Sequence, residues 1–139
     1  MRNALLVMPI LPLLLVACGE EPQDTVVTEE KLTEYKAYGT EPGWTVDIKN
    51  DEIIHTSQDG NNDFSLAVQR MKKTATGWDV KGFTDKDNIS VTIVSGEECN
   101  DGMSDRIFAD TVKVSVSGSG YHNGCGGEIL SDPEAAEAT

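Results

Sequence analysis

Four times between residues 44 and 116 the sequence alternates apolar and polar side chains with a period of two. Trp44, Val46 and Ile48 alternate with Thr45, Asp47 and Lys49, and Phe64, Leu66 and Val68 with Ser65, Ala67 and Gln69. Ile89, Val91 and Ile93 alternate with Ser90 and Thr92, and Val112, Val114 and Val116 with Thr111, Lys113 and Ser115. Successive side chains of a strand point to opposite faces, so each run predicts a strand with one buried and one wet face. Shorter runs at 52–57 and 77–84 fit two more strands. The breaks between runs are Asn50-Asp51, Asp59-Gly60-Asn61-Asn62, Thr76-Gly77 and Asp85-Lys86-Asp87-Asn88, residues that tolerate positive φ or bond their own backbone. Strands this close and this briefly joined are antiparallel neighbours. The expected fold is all-β, a small antiparallel barrel or sandwich of about seven or eight strands. Pattern alone does not choose between the two.

The N-terminus sets the compartment. Arg2 is followed by an apolar stretch from Leu5 to Ala17 that contains Pro9 and Pro12, and no acid precedes Glu20. A membrane-spanning helix needs roughly 20 apolar residues, so this layout reads as a secretory signal rather than a permanent span. Leu15-Val16-Ala17-Cys18 resembles the bacterial lipobox. That resemblance implies cleavage between Ala17 and Cys18, a diacylglycerol on the Cys18 thiol and acylation of the new amino group. Each buried methylene contributes about 0.8 kcal/mol, so two or three chains hold a protein on a membrane where one does not. Gly19 in place of Asp points, by analogy with enteric sorting rules, to the outer membrane facing the periplasm.

The cysteine count fits the same compartment. Cys18, Cys99 and Cys125 make an odd set, which outside the cytoplasm leaves a free thiol unless one is consumed. Lipidation consumes Cys18, and an oxidising environment then favours a Cys99–Cys125 disulfide. The domain boundaries that follow are 1–17 for the signal, 18–34 for a lipidated acidic linker, 35–130 for the β domain and 131–139 for a flexible acidic tail. The mature chain carries 10 basic and 24 acidic residues, a formal charge of −14. Such a surface repels nucleic acid and anionic headgroups and attracts a basic protein partner.

Two segments stand apart from the strand pattern. They are Tyr38-Gly39-Thr40-Glu41-Pro42-Gly43-Trp44 and Glu98-Cys99-Asn100-Asp101-Gly102-Met103-Ser104-Asp105-Arg106. With the later Gly124-Cys125 they resemble an uncharacterised family of small bacterial envelope lipoproteins and predicted membrane proteins. Its members carry Gly-Thr-Glu-Pro-Phe-Trp, Cys-x-Asp-Gly-Met-Ser-Asp-Arg and a late Gly-Cys. Gly43 here replaces the usual aromatic before Trp44. The family has no established activity, so the resemblance implies location and fold.

Physically, Asp101-Gly102 reads as a tight turn that presents Ser104, Asp105 and Arg106 in a defined geometry. Arg106 offers a planar donor fork and Ser104 a short polar contact, which makes the loop a candidate recognition element. The alternative is that Asp101 and Asp105 bond backbone amides while Arg106 pairs with a neighbouring acid. Glu41 and Trp44 have the same double reading, as the lining of a ligand pocket or as an entry turn and a plug for one end of the fold.

Catalytic signals are thin. His55 and His122, the only histidines, sit in no motif, and Ser104 is not in a Gly-x-Ser-x-Gly elbow. The abundant aspartates follow no calcium-loop pattern, and no phosphate loop, nucleotide fingerprint or haem attachment sequence occurs. No cofactor and no metal are expected. The expected function is a non-enzymatic envelope lipoprotein whose β domain binds a ligand or protein. Alternatives are a structural or assembly component of the envelope, or an analogue of the membrane-bound lysozyme inhibitors, which are also small, lipidated, disulfide-bearing barrels. A hydrolase is the remotest, and would need Ser104, Asp105 and a histidine within hydrogen-bond reach.

Overall fold

A computed structural model describes residues 30–137. The signal, the cleavage point at Ala17–Cys18 and the acyl acceptor Cys18 lie outside the described residues. The strands are β1 (Glu34–Thr40), β2 (Gly43–Lys49), β3 (Glu52–Ser57), β4 (Phe64–Lys73), β5 (Gly77–Phe83), β6 (Asn88–Asn100), β7 (Ile107–Val116) and β8 (Gly120–Ser131), followed by a short helix α1 (Pro133–Glu137). Each strand pairs antiparallel with the next, and β8 returns to pair with β1. The fold is therefore a closed eight-stranded barrel, and that last pairing decides against a sandwich.

The period-two runs place their apolar members inside. Val46, Ile48, Ile53, Val80, Val91, Ile93, Val112 and Val114 are all essentially inaccessible. Eight strands enclose a space just wide enough for such side chains to fill, so the interior is a packed core rather than a channel. Turn chemistry fixes the register. Asn50 and Asp51 sit at φ 53° and 63°, the positive values that a two-residue hairpin requires to match strand twist. β2 and β3 consequently pair from Lys49↔Glu52 upward without a shift. The Glu41–Pro42 peptide between β1 and β2 is cis.

The closing seam is built differently from the rest of the wall. Its register contains only Ala37↔Gly126 and Tyr38↔Cys125. The inner face of β8 has glycine where other strands have Val or Ile, and side chains from β1 and β2 fill the space. A Cβ on Gly124 would lie 2.6 Å from the Trp44 ring, and one on Gly39 would overlap the indole. A Cβ on Gly126 would lie 2.6 Å from the Tyr35 hydroxyl. Trp44 and Tyr35 thus lie on a glycine floor that admits nothing larger.

Outside the seam, β6, β7 and β8 continue beyond the barrel wall through register shifts at Ser95/Cys99 and Phe108/Asp110. This three-stranded strap lies against the outer face of β1. Tyr38 meets Phe108 there with ring centroids 5.6 Å apart, and Phe108 is fully covered. Cys99 on the strap is bonded to Cys125 on the seam. Asp110 holds the corner where the strap departs: its carboxylate accepts the Gly96 N–H at 3.0 Å and the Tyr35 hydroxyl at 3.0 Å. Gly127, at φ 77°, passes so close that a Cβ would sit 2.5 Å from Asp110 Oδ2. A buried carboxylate is tolerated because it has donors on both oxygens.

Ordered contacts extend past both expected domain ends. Leu32 packs against the core. In the interval expected to be a flexible tail, Asp132 accepts the Ala135 N–H at 3.4 Å with Pro133 beginning α1, the arrangement favoured at a helix start. Arg106 reaches Asp132 at 3.0 Å and Glu134 at 3.2 Å, which ties α1 to the strap.

Two stability predictions follow from the seam. The disulfide spans 26 residues, so Cys99→Ser should lower unfolding free energy by about 3.5 kcal/mol on the chain-entropy model; denaturant titration of oxidised protein and variant measures it. Reductant should destabilise the parent and leave the variant unchanged. Burial, and then the adjacent Asp110 carboxylate, push the Tyr35 hydroxyl well above its ordinary range. A raised folded pKa means that stability is fully present below pH 10 and declines as the unfolded tyrosine ionises above it. Tyr35→Phe should remove one proton's worth of that alkaline slope in thermal melts between pH 9 and 11.

Candidate binding site at the barrel mouth

Strand direction sends Thr40, Ser57, Phe64, Val116 and Gly120 to one end of the barrel, because β1 and β3 finish there while β4 and β8 begin there. The core does not fill this end. A cavity of about 260 Å³ opens between Pro42, Trp44, His55, Gln58, Asn62 and His122. The two histidines, 67 positions apart in sequence, thus line one pocket. Sequence reasoning did not find them as a site. The only available signal was phase: each falls on the inward position of its strand, in register with Val46 and Val114 respectively.

The β3–β4 turn is a hydrogen-bonded frame around His55. Asp63 Oδ1 accepts the Ser57 amide at 2.7 Å and the Ser57 hydroxyl at 3.1 Å, and Ser57 Oγ accepts the Asn62 amide at 3.1 Å. Asp59 receives the Asn61 amide and side chain at 3.1 and 2.9 Å, and those bonds hold its carboxyl below the usual aspartate range. The frame places the Asn62 carbonyl 2.8 Å from His55 Nδ1. A carbonyl only accepts, so Nδ1 donates to it, and in the neutral tautomer this leaves Nε2 as an acceptor facing the cavity. The imidazole stacks on Phe64 with centroids 5.1 Å apart and is only 4% exposed, which leaves it little freedom to turn. His122 is held more loosely, with Nε2 3.1 Å from Ser119 Oγ.

Trp44 forms the floor. It is 5% exposed, and its indole Nε1 is buried with no hydrogen-bond partner among the described residues. Leaving a buried donor unpaired costs about 1–3 kcal/mol, so the ring is held here by packing on Gly39 and Gly124 rather than by its polar edge. Pocket lining and end plug, the two readings of Trp44, are one geometry. Glu41 is exposed on the cis turn and lines an adjoining shallow recess with Asp101, Met103, Tyr121 and His122.

The strap brings the Asp101–Arg106 loop to the same end, where Thr40 Oγ1 donates to the Asp101 carbonyl at 3.2 Å. The loop's polar groups are directed inward on the chain. Asp101 accepts the Met103 and Ser104 amides, both at 2.9 Å, and the Ser104 hydroxyl at 2.6 Å. Arg106 is taken by Asp132 and Glu134. Asp105 is exposed at φ 53°. What the loop offers outward is its Met103 side chain, 73% exposed, opposite Tyr121 at 76%. The Ser104 hydroxyl donates to Asp101, and among the described residues the two histidines bond Asn62 and Ser119 instead. Among the described residues no three His, Cys, Asp or Glu side chains are placed to hold a metal ion.

The arrangement is suited to recognition. His55, a second imidazole, the Gln58 amide and an indole floor surround a space of about 260 Å³, enough for a small molecule, and exposed Met103 and Tyr121 border the adjoining recess. The Ser104 hydroxyl and amide, with smaller help from Met103 and the Arg106 charge, hold the Asp101 carboxyl below its ordinary range. A depressed carboxylate stabilises the loop above its unfolded pKa and loses that effect as pH falls through its folded value. The Ser104 amide should therefore keep its protection factor at pH 5 and lose it below pH 4, once the falling intrinsic exchange rate is divided out, and Asp101→Asn should remove this dependence; site-resolved hydrogen exchange reads both. Comparison of the chain with protein-family models, with curated proteins and with solved structures found no match.

Proposed function

We propose that this chain is a lipid-anchored protein of the bacterial cell envelope, tethered through Cys18, whose barrel serves as a non-enzymatic binding module with its site at the mouth. The resemblance to envelope lipoproteins in the lipobox and in the Tyr38–Trp44 and Glu98–Arg106 segments supports the address. The observation that carries the binding role is the convergence of Trp44, His55 and His122 on one cavity at an end that the core leaves open. Up-and-down barrels of this size commonly receive small ligands through such a mouth. The pocket's mix of acceptors and an aromatic floor fits a small, partly planar molecule with hydrogen-bond donors.

A second reading has its own observation. Met103 and Tyr121 are the two most exposed large hydrophobic side chains among the described residues, and both border the recess of Glu41 and His122. A methionine and a tyrosine beside an acid on a strongly acidic surface suit a basic protein partner, a lysozyme among them.

Mass spectrometry of protein extracted from its membrane tests the first reading. Under denaturing conditions the mass should match the chain from Cys18 onward plus acyl groups and rise by two hydrogens on reduction. Under native conditions a non-covalent adduct should accompany the parent and be absent from a folded His55→Ala/His122→Ala variant. An unacylated mass would remove the address. Identical native spectra for parent and variant would remove the mouth as the binding site.

A further inference from the structure

One hairpin, whose turn lies at the end of the barrel opposite the mouth, has a charge unlike the rest of the molecule. Within residues 68–81, the last part of β4, its turn and most of β5, stand Arg70, Lys72, Lys73 and Lys81 against one acid, Asp79. The whole chain has 11 basic and 24 acidic residues, so this hairpin collects over a third of the positive charge and almost none of the negative. Register places Arg70 beside Lys81 and Lys72 beside Asp79, and Asp79 Oδ1 is occupied by the Thr92 hydroxyl at 2.8 Å. Among the described residues Arg70, Lys72 and Lys81 make no ion pair, whereas Lys31, Lys36, Lys49 and Lys73 each have a carboxylate partner. The turn, Thr74-Ala75-Thr76, carries no charge.

The hairpin is also where the chain enters the barrel. Lys73 pairs with Glu30, and Lys31 pairs with Asp51 at 2.5 Å. Glu30 and Lys73 share a recess with Met71 and Lys72. Cys18 lies 12 residues before Glu30, a covalent span of at most about 42 Å at full extension. A tether of that length exceeds the span of the seven-residue β1, so the anchor holds the barrel near the bilayer and leaves its orientation to surface charge.

We propose that the β4–β5 hairpin docks on the anionic phospholipid headgroups of the bilayer that holds the acyl chains, and so points the mouth away from the membrane. The inference rests on the lipoprotein reading and adds an orientation to it. Net charge alone argues against contact with anionic lipid, but screening makes the interaction local. At physiological ionic strength the Debye length is about 8 Å, so headgroups under the hairpin feel Arg70, Lys72 and Lys81 with Asp79 beside them. Glu30 and Asp51 are neutralised by Lys73 and Lys31, and more distant acids are screened. Each basic side chain at an anionic surface contributes about 1 kcal/mol. Three such charges less the one of Asp79 amount to about a thirtyfold preference for the docked orientation.

Paramagnetic relaxation tests this on the mature acylated protein in lipid nanodiscs that contain gadolinium-labelled headgroups. In discs with phosphatidylglycerol, amides of residues 72–77 should broaden several-fold more than mouth amides of residues 58–62 and 118–120. The bias should vanish in phosphatidylcholine discs, and in Arg70→Glu/Lys72→Glu/Lys81→Glu protein whose dispersed spectrum shows an intact barrel. Equal broadening at both ends in phosphatidylglycerol discs would overturn the proposal, as would a bias that survives charge reversal. The intact mass of the same sample separates the two levels. Absence of acyl groups overturns the tether and the orientation together, while an acylated chain without hairpin broadening overturns the orientation alone.

Discussion

Closure of the β1–β8 seam is the constraint on which the molecule depends. A meander of eight strands with open first and last edges would leave two rows of unpaired backbone groups and a core exposed along one side. Here the two edges meet over only two register pairs, at Ala37 and Tyr38, so backbone pairing alone is a weak fastening. Packing on both faces of the wall reinforces it. Inside, Trp44 packs against Gly39 and Gly124 and Tyr35 against Gly126. Outside, the strap covers Tyr38 with Phe108 and is bonded to the seam through Cys99–Cys125. Asp110 joins the two faces, because one carboxylate bonds Tyr35 on the seam and Gly96 at the root of the strap.

The same devices give the barrel its two unlike ends. Trp44 seals the core from below and leaves the mouth above it, and the strap carries the 101–103 turn up to the rim beside Thr40. The structural fastening and the candidate site therefore share residues, and Trp44 belongs to both. At the other end the chain enters beside a basic hairpin, so the polarity of β1, from Glu34 to Thr40, runs from the tether to the pocket.

Much of the fold was legible because period-two alternation reports a strand directly. The four long runs contain β2, β4, β6 and β7 or their inner parts, and the turn residues between them set the antiparallel order. β8 was not legible by that rule. Its inward positions, His122, Gly124 and Gly126, hold no aliphatic side chain because residues from β1 and β2 occupy the space. The strap was legible only as the Glu98–Arg106 segment with its Cys99, since a strand bent outward by register shifts loses its phase relation to the core. At the site, the two motifs were legible as special segments, and the fold brings Glu41, Trp44 and the Asp101 loop to one end. The histidines were not, because inward phase at a barrel mouth looks in sequence like ordinary core. The loop's donors and acceptors also escaped assignment, since the acids that bind Arg106 belong to a tail that composition marked as flexible.

The seam can be examined directly through Trp44. Nuclear Overhauser spectra of the oxidised protein should show contacts from the Trp44 indole protons to the Hα protons of both Gly39 and Gly124, with those glycine resonances displaced from random-coil values by the ring current. Both sets of contacts together establish that β1 and β8 are joined beneath one side chain. An indole that contacts neither glycine, or Gly39 and Gly124 at random-coil shifts, would contradict a barrel closed in this way.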